Sequence, residues 1–236
     1  MGLKGLVFDK DGTLIDFDLT WGPAFDAVMR HLARGDGERL ARLMAVSHYV
    51  AEEKRFLPSS PLVAGSTDAF APAWADILGR APDLAFRTEV DALLARHGLD
   101  SLTPIGAPAA LFARLAARGV ALGVATNDSE ASARAQAAAL GIAGHCPFVA
   151  GYDSGWGAKP EPGMVAAFVA ATGLAPREVA LVGDSLHDLH AARAAGVVAI
   201  AVLSGPRRAA ARAEVEPHAD HVVDSIEALE ALLDAL

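Results

Sequence analysis

Short apolar runs rich in β-branched residues recur along this chain at 3–8, 120–125, 147–150, 179–182 and 197–203, with a weaker one at 221–223. Each has the length of a strand, and their unbroken apolar character suits parallel strands covered on both faces. Segments of helical periodicity at 108–118, 130–140, 162–172 and 188–195 lie between several of them. That alternation predicts an α/β fold built on a Rossmann-like parallel sheet. The apolar fraction of 53% leans on Ala and only 6% of residues are aromatic, so the core is expected to be mainly Val, Leu and Ile.

The pattern changes between residues 16 and about 98. The segments 21–33, 38–50, 66–78 and 83–96 carry helix-like spacing, and no convincing strand is visible among them. Pro58-Ser-Ser-Pro61 interrupts this stretch, and Asp100-Ser-Leu-Thr-Pro104 supplies loop-forming residues where the chain rejoins the sheet pattern. The expected organisation is a core of residues 1–16 and 99–236 with a helical insert at 17–98. An extra helical layer on the core is the alternative. Trp21, Trp74 and Trp156 read as packing residues, with Trp21 close enough to the first apolar run to line a pocket.

Four short motifs follow apolar runs or open helices. Directly after the first run stands Asp9-Lys10-Asp11-Gly12-Thr13-Leu14. Residues two apart in an extended chain point to the same side, so Asp9 and Asp11 can converge at a strand's carboxyl end, where open α/β sheets bind ligands. Two carboxylates suit phosphoryl transfer: one attacks phosphorus, while the other protonates the leaving oxygen and then activates water. A calcium loop fits poorly, because Leu14 and Thr20 stand where its Gly and Glu are required. Thr126-Asn127-Asp128-Ser129 places a hydroxyl and free amides at a strand tip, a phosphate cradle, although the same string is also a good helix N-cap. Lys159, in Gly157-Ala-Lys-Pro-Glu-Pro162, is a candidate fixed cation, and equally a solvated loop residue. Gly183-Asp184-Ser185-Leu186-His187-Asp188 closes another run. Asp9 and Asp184 can supply the pair of carboxylates that magnesium takes alongside phosphate and water. An N-cap at Asp184 with an exposed Asp188 is the alternative. The four together, in order and all at strand ends or the following loops, point to one site.

The net charge of −9 offers no basic excess to release counterions from nucleic acid. The lone Cys146, a charged start and the absence of an apolar run of about 18 residues favour a cytoplasmic protein without a membrane span.

These motifs resemble those of the haloacid dehalogenase superfamily, within it the phosphoglycolate phosphatase-like branch, over nearly the whole chain. The resemblance implies that Asp9 is the nucleophile, Asp11 the acid/base and Lys159 the motif lysine, with Thr126 and Asn127 on substrate phosphate. It also implies Mg2+ on Asp9, Asp184 and the backbone carbonyl of Asp11, and a helical cap at 17–98 that selects the substrate. The expected activity is hydrolysis of a small phosphorylated metabolite by a monomer or homodimer. Leu14-Ile15-Asp16-Phe17-Asp18 departs from the Leu-Val/Ile-Asp-Ser continuation frequent in that branch, so the resemblance implies the reaction more than the substrate. A sugar-phosphate mutase is the nearest alternative. A binding domain that keeps only the fold would be expected to have lost one of these residues, and a dehalogenase would be expected to lack Asp11.

Overall fold

The computed structural model describes residues 2–63 and 66–236. It divides into two compact units, Met1–Asp16 with Pro104–Leu236, and Phe17–Thr103.

The first unit carries a six-stranded sheet of β1 (Gly5–Phe8), β4 (Ala121–Ala125), β5 (Phe148–Ala150), β6 (Val179–Gly183), β7 (Val198–Val202) and β8 (His221–Val223). Their order is β5-β4-β1-β6-β7-β8, and every pairing is parallel. All the expected strands are present within a residue or two of the ends read from sequence. β1 is central, with Phe8 opposite Val124 on one side and Val182 on the other.

Side chains along each strand alternate between two cores. Leu6, Phe8, Val124, Val182 and Ile200 pack with Leu111, Phe112 and Leu115 of helix α5 (Pro108–Ala117) and Ala133 and Ala137 of α6 (Glu130–Ala139). Val7, Leu181 and Ala199 face Met164, Val165 and Phe168 of α7 (Gly163–Thr172) and Leu189 and Ala192 of α8 (Leu186–Ala195). A parallel sheet covered on both faces has no polar side, which is why its strands read as continuous apolar runs. The chain leaves β1 towards β4 and β5, then returns through α7 to β6. The strand order therefore reverses around β1, and a crevice opens at the carboxyl ends of such strands.

The second unit holds α1 (Phe17–Ala33), α2 (Gly37–Val46), α3 (Thr67–Leu78) and α4 (Leu84–Asp100) around an aromatic core. Phe25 meets Trp21, Phe56, Phe70 and Trp74 at centroid distances of 5.3 to 6.0 Å. The expectation of an insert without strands fails: β2 (Tyr49–Val50) and β3 (Arg55–Phe56) form an antiparallel hairpin. The second helix accordingly stops at Val46 instead of reaching residue 50. Ser47 caps it and His48 takes a left-handed φ of 49°, after which Tyr49-Val50, good strand formers, pair with Arg55-Phe56. Ser47 is pinned twice, its hydroxyl accepting from the Trp74 indole at 2.9 Å and its carbonyl from the Ser60 hydroxyl at 2.6 Å. The unit also runs to Thr103, past the expected limit of 98, because α4 continues through Gly98 to Asp100. Trp21 and Trp74 are buried, whereas Trp156, in the first unit, is 42% exposed and stacks on Phe148.

Candidate active site

The end of β1 is held by its neighbour, since the Asp9 N–H donates to Val182 O at 2.8 Å. The chain then turns sharply, the Lys10 carbonyl accepting from the N–H groups of Leu14 and Ile15 at 2.8 and 3.1 Å. Gly12 makes this turn with φ +81°, and a Cβ there would lie 2.6 Å from Asp184 Oδ2. Glycine is thus required twice over, for the backbone and for the carboxylate beside it.

Three carboxylates gather here. Asp9, Asp184 and Asp188 each offer an oxygen, and these atoms lie within 4.8 Å of one another. Lys159, which sequence left open as a solvated loop residue, is buried with its Nζ 2.5 Å from Asp9 Oδ1 and 2.6 Å from Asp188 Oδ1. Asn127 places it: the amide Nδ2 donates to Lys159 O at 2.9 Å, and Oδ1 accepts from Lys159 N at 2.8 Å. The Asn127 side chain thus holds the lysine's backbone.

The alternative of an exposed Asp188 is not what the structure has: Asp188 is buried and sits at the third position of α8 in a capping box with Ser185. Its Oδ2 accepts from Ser185 N at 3.0 Å and Ser185 Oγ at 2.6 Å, leaving Oδ1 for Lys159. The Ser185-x-x-Asp188 spacing was the signal for it. Asp184 precedes the helix, and its carboxylate rests between two glycines. A Cβ on Gly205, after β7, would come within 1.9 Å of Asp184 Oδ2. Ser204 fastens this loop by donating to Gly12 O at 2.8 Å.

Asp11 is turned away from this cluster. Lys10 Nζ lies 2.8 Å from the Asp11 carboxylate and 3.1 Å from Asp128 Oδ2, and Thr126 Oγ1 approaches Asp11 Oδ2 at 3.4 Å. Lys10 and Asp128 were not among the sequence-derived candidates, since spacing along one motif does not show pairing across two loops. Among the described residues the clustered carboxylate oxygens are those of Asp9, Asp184 and Asp188, without the Asp11 carboxylate.

Burial is the largest influence on Asp9, pushing its carboxyl up to about 7; Lys159 opposes this, while Asp188 and Asp11 add to it. Lys159 is raised as well, because the Asp188 and Asp9 carboxylates outweigh its own burial. Asp9 rises mainly because burial disfavours its charged form, and Lys159 because two carboxylates face it. Asp184 is raised well above the usual carboxylate range by burial and then by Asp9 and Asp188. Among the described residues no lysine or arginine pairs with it. A cluster of buried carboxylate oxygens short of positive charge fits a hard divalent cation.

The residues match the description of the haloacid dehalogenase-like hydrolases over 3–196. The chain is 33% identical to the phosphoglycolate phosphatase of Rhodospirillum rubrum over 208 residues, 87% of this chain and 81% of that one. It is 29% identical to the phosphoglycolate phosphatase of Chromobacterium violaceum, covering 85% of each. The structure of CbbY from Rhodobacter sphaeroides in complex with phosphate superposes with a TM-score of 0.67 at 20% identity, covering 98% of this chain and 99% of that one. The chain belongs to the haloacid dehalogenase-like hydrolases. Among its described residues no helix is long and apolar enough to cross a membrane.

Proposed function

We propose that this hydrolase is a Mg2+-dependent phosphatase acting on a small phosphate monoester of the phosphoglycolate kind. The observation that carries this reading is the separation of two carboxylates by environment. Asp9 is buried against Lys159 beside Asp184 and Asp188, while Asp11, two residues on, is held by Lys10 and Thr126. Such a division supplies a nucleophile and a distinct proton carrier.

In this mechanism an Asp9 carboxylate oxygen attacks phosphorus, and the bond from phosphorus to the substrate's ester oxygen breaks. Asp11 gives that oxygen its proton, leaving a phosphoryl group on Asp9. Asp11 then takes a proton from water as the water oxygen attacks phosphorus, which frees Asp9 and releases inorganic phosphate. Lys159 keeps the attacking oxygen oriented, and Asn127 holds Lys159. Thr126 and the amides at the start of α6 contact the phosphoryl oxygens. Mg2+, held by Asp9, Asp184 and the Asp11 carbonyl with Asp188 beside them, would offset the phosphoryl charge. The second unit is assigned the role of a cap that selects the substrate, and the protein is assigned to the cytoplasm.

The test is a panel of phosphorylated metabolites, including 2-phosphoglycolate and sugar phosphates, with and without Mg2+. Metal-dependent phosphate release from a small monoester supports the reading. Isomerised sugar phosphate without release would favour a mutase, and no reaction with any compound would favour a binding domain.

A further inference from the structure

Lys10 occupies the position between the two motif aspartates, and its long side chain is buried with 2% of its surface exposed. A packing role alone would be served by an apolar residue, since burying an ammonium group costs several kcal/mol and apolar replacements of buried ion pairs are often neutral or stabilising. What the charge does is visible in its partners. Lys10 Nζ lies 2.8 Å from the carboxylate of Asp11, at the end of β1, and 3.1 Å from that of Asp128, at the end of the adjacent β4.

Asp128 reaches Asp11 by a second route. Its backbone N–H donates at 3.1 Å to Thr126 Oγ1, the hydroxyl that approaches Asp11 Oδ2 at 3.4 Å. Its carboxylate is itself fixed by the Ser129 N–H at 2.7 Å, at the N-cap of α6. Lys10 and Thr126, which donate to the Asp11 carboxylate, are therefore each tied to Asp128. We propose that Lys10, braced by Asp128, is a positioning residue that holds the Asp11 carboxyl for proton transfer to the leaving oxygen. This rests on the assignment of Asp11 as acid/base.

A misplaced acid harms substrates in proportion to their need for one. An alkyl phosphate leaves as a strongly basic alkoxide unless protonated, whereas 4-nitrophenolate leaves readily without help. Because kcat/KM reports steps up to departure of the leaving group, it isolates this proton transfer from the later hydrolysis of the phosphoryl enzyme. Lys10→Met is expected to lower kcat/KM for the alkyl phosphate that the wild-type protein turns over by about 10- to 100-fold, and for 4-nitrophenyl phosphate by less than about 3-fold. Asp128→Asn is expected to show the same contrast more weakly, and to add nothing in the Lys10→Met background, because it acts through Lys10.

Equal losses on both substrates, no loss, or additive effects of the two substitutions would overturn the proposal while leaving the phosphatase reading intact. Should Lys10→Met unfold, Asp128→Asn alone decides by the presence or absence of the leaving-group contrast. A wild-type protein that hydrolyses neither compound with Mg2+ overturns both.

Discussion

Each cation at the centre of the site serves two carboxylates, Lys159 between Asp9 and Asp188 and Lys10 between Asp11 and Asp128, and among the described residues no cation pairs with Asp184. This deficit gives the pH dependence of metal binding a definite sign. The Asp9 carboxyl rises from 3.8 to about 7 on folding, so its contribution to stability is present below 3.8 and lost as pH climbs through 7. A divalent cation would favour the ionised carboxylate, offsetting its burial first and its repulsion by Asp188 and Asp11 second. The gain in Tm on adding Mg2+ is therefore expected to grow between pH 4 and pH 7, a window set by that shift. A gain independent of pH in thermal unfolding would contradict the charge balance described here. The clamp on Lys159 gives a second prediction. Asn127→Ala removes two hydrogen bonds to the lysine's backbone and is expected to cost about 2 kcal/mol of stability, with a fall in kcat exceeding the change in KM. Chemical denaturation and steady-state kinetics check the two parts. The positions of Asp9, Asp11, Thr126, Lys159 and Asp184 at strand ends or in the loops beyond them were legible because each follows an apolar run. The burial of Asp188 and the partners of Lys10 were not, because each depends on which loop folds against which.

Glycines mark where elements approach one another. Gly205→Ala would drive a methyl group into the space of Asp184 Oδ2, and the carboxylate would have to move. The variant is expected to need more Mg2+ for half-maximal activity, as read by metal titration; an unchanged requirement would separate Asp184 from the metal. In the second unit, a Cβ on Gly22 of α1 would lie 1.7 Å from the Lys54 carbonyl in the β2–β3 hairpin, and Tyr49 Oη donates to Gly22 O at 2.9 Å. Gly22→Ala is expected to destabilise the protein by about 1–3 kcal/mol in thermal unfolding. The hairpin itself was illegible in sequence, since strands of two residues have no detectable period and Tyr49-Val50 continue the helix-like spacing of α2. The long strands gave themselves away because burial on both faces admits only apolar side chains.

At the scale of the molecule, the sheet accounts for the site. The motifs are far apart in sequence, yet β1 pairs directly with both β4 and β6, so Asp9, Thr126 and Asp184 emerge at neighbouring strand ends. This arrangement was foreseeable as soon as the βαβ alternation was recognised, because parallel strands present all their carboxyl ends on one edge. The substrate was less legible, since the four motifs do not indicate which groups would surround the rest of the molecule beyond its phosphate. The central claim, that Asp9 carries the phosphoryl group, is tested most directly by acid-quenching the protein during turnover with substrate and Mg2+, then measuring its intact mass and mapping the modified peptide. A mass increase of one phosphoryl group on the peptide holding Asp9, absent in Asp9→Asn together with a rate loss on the order of 10³-fold or more, is the expected result. A phosphoryl group on another residue, or an Asp9→Asn protein with near wild-type turnover, would contradict the account.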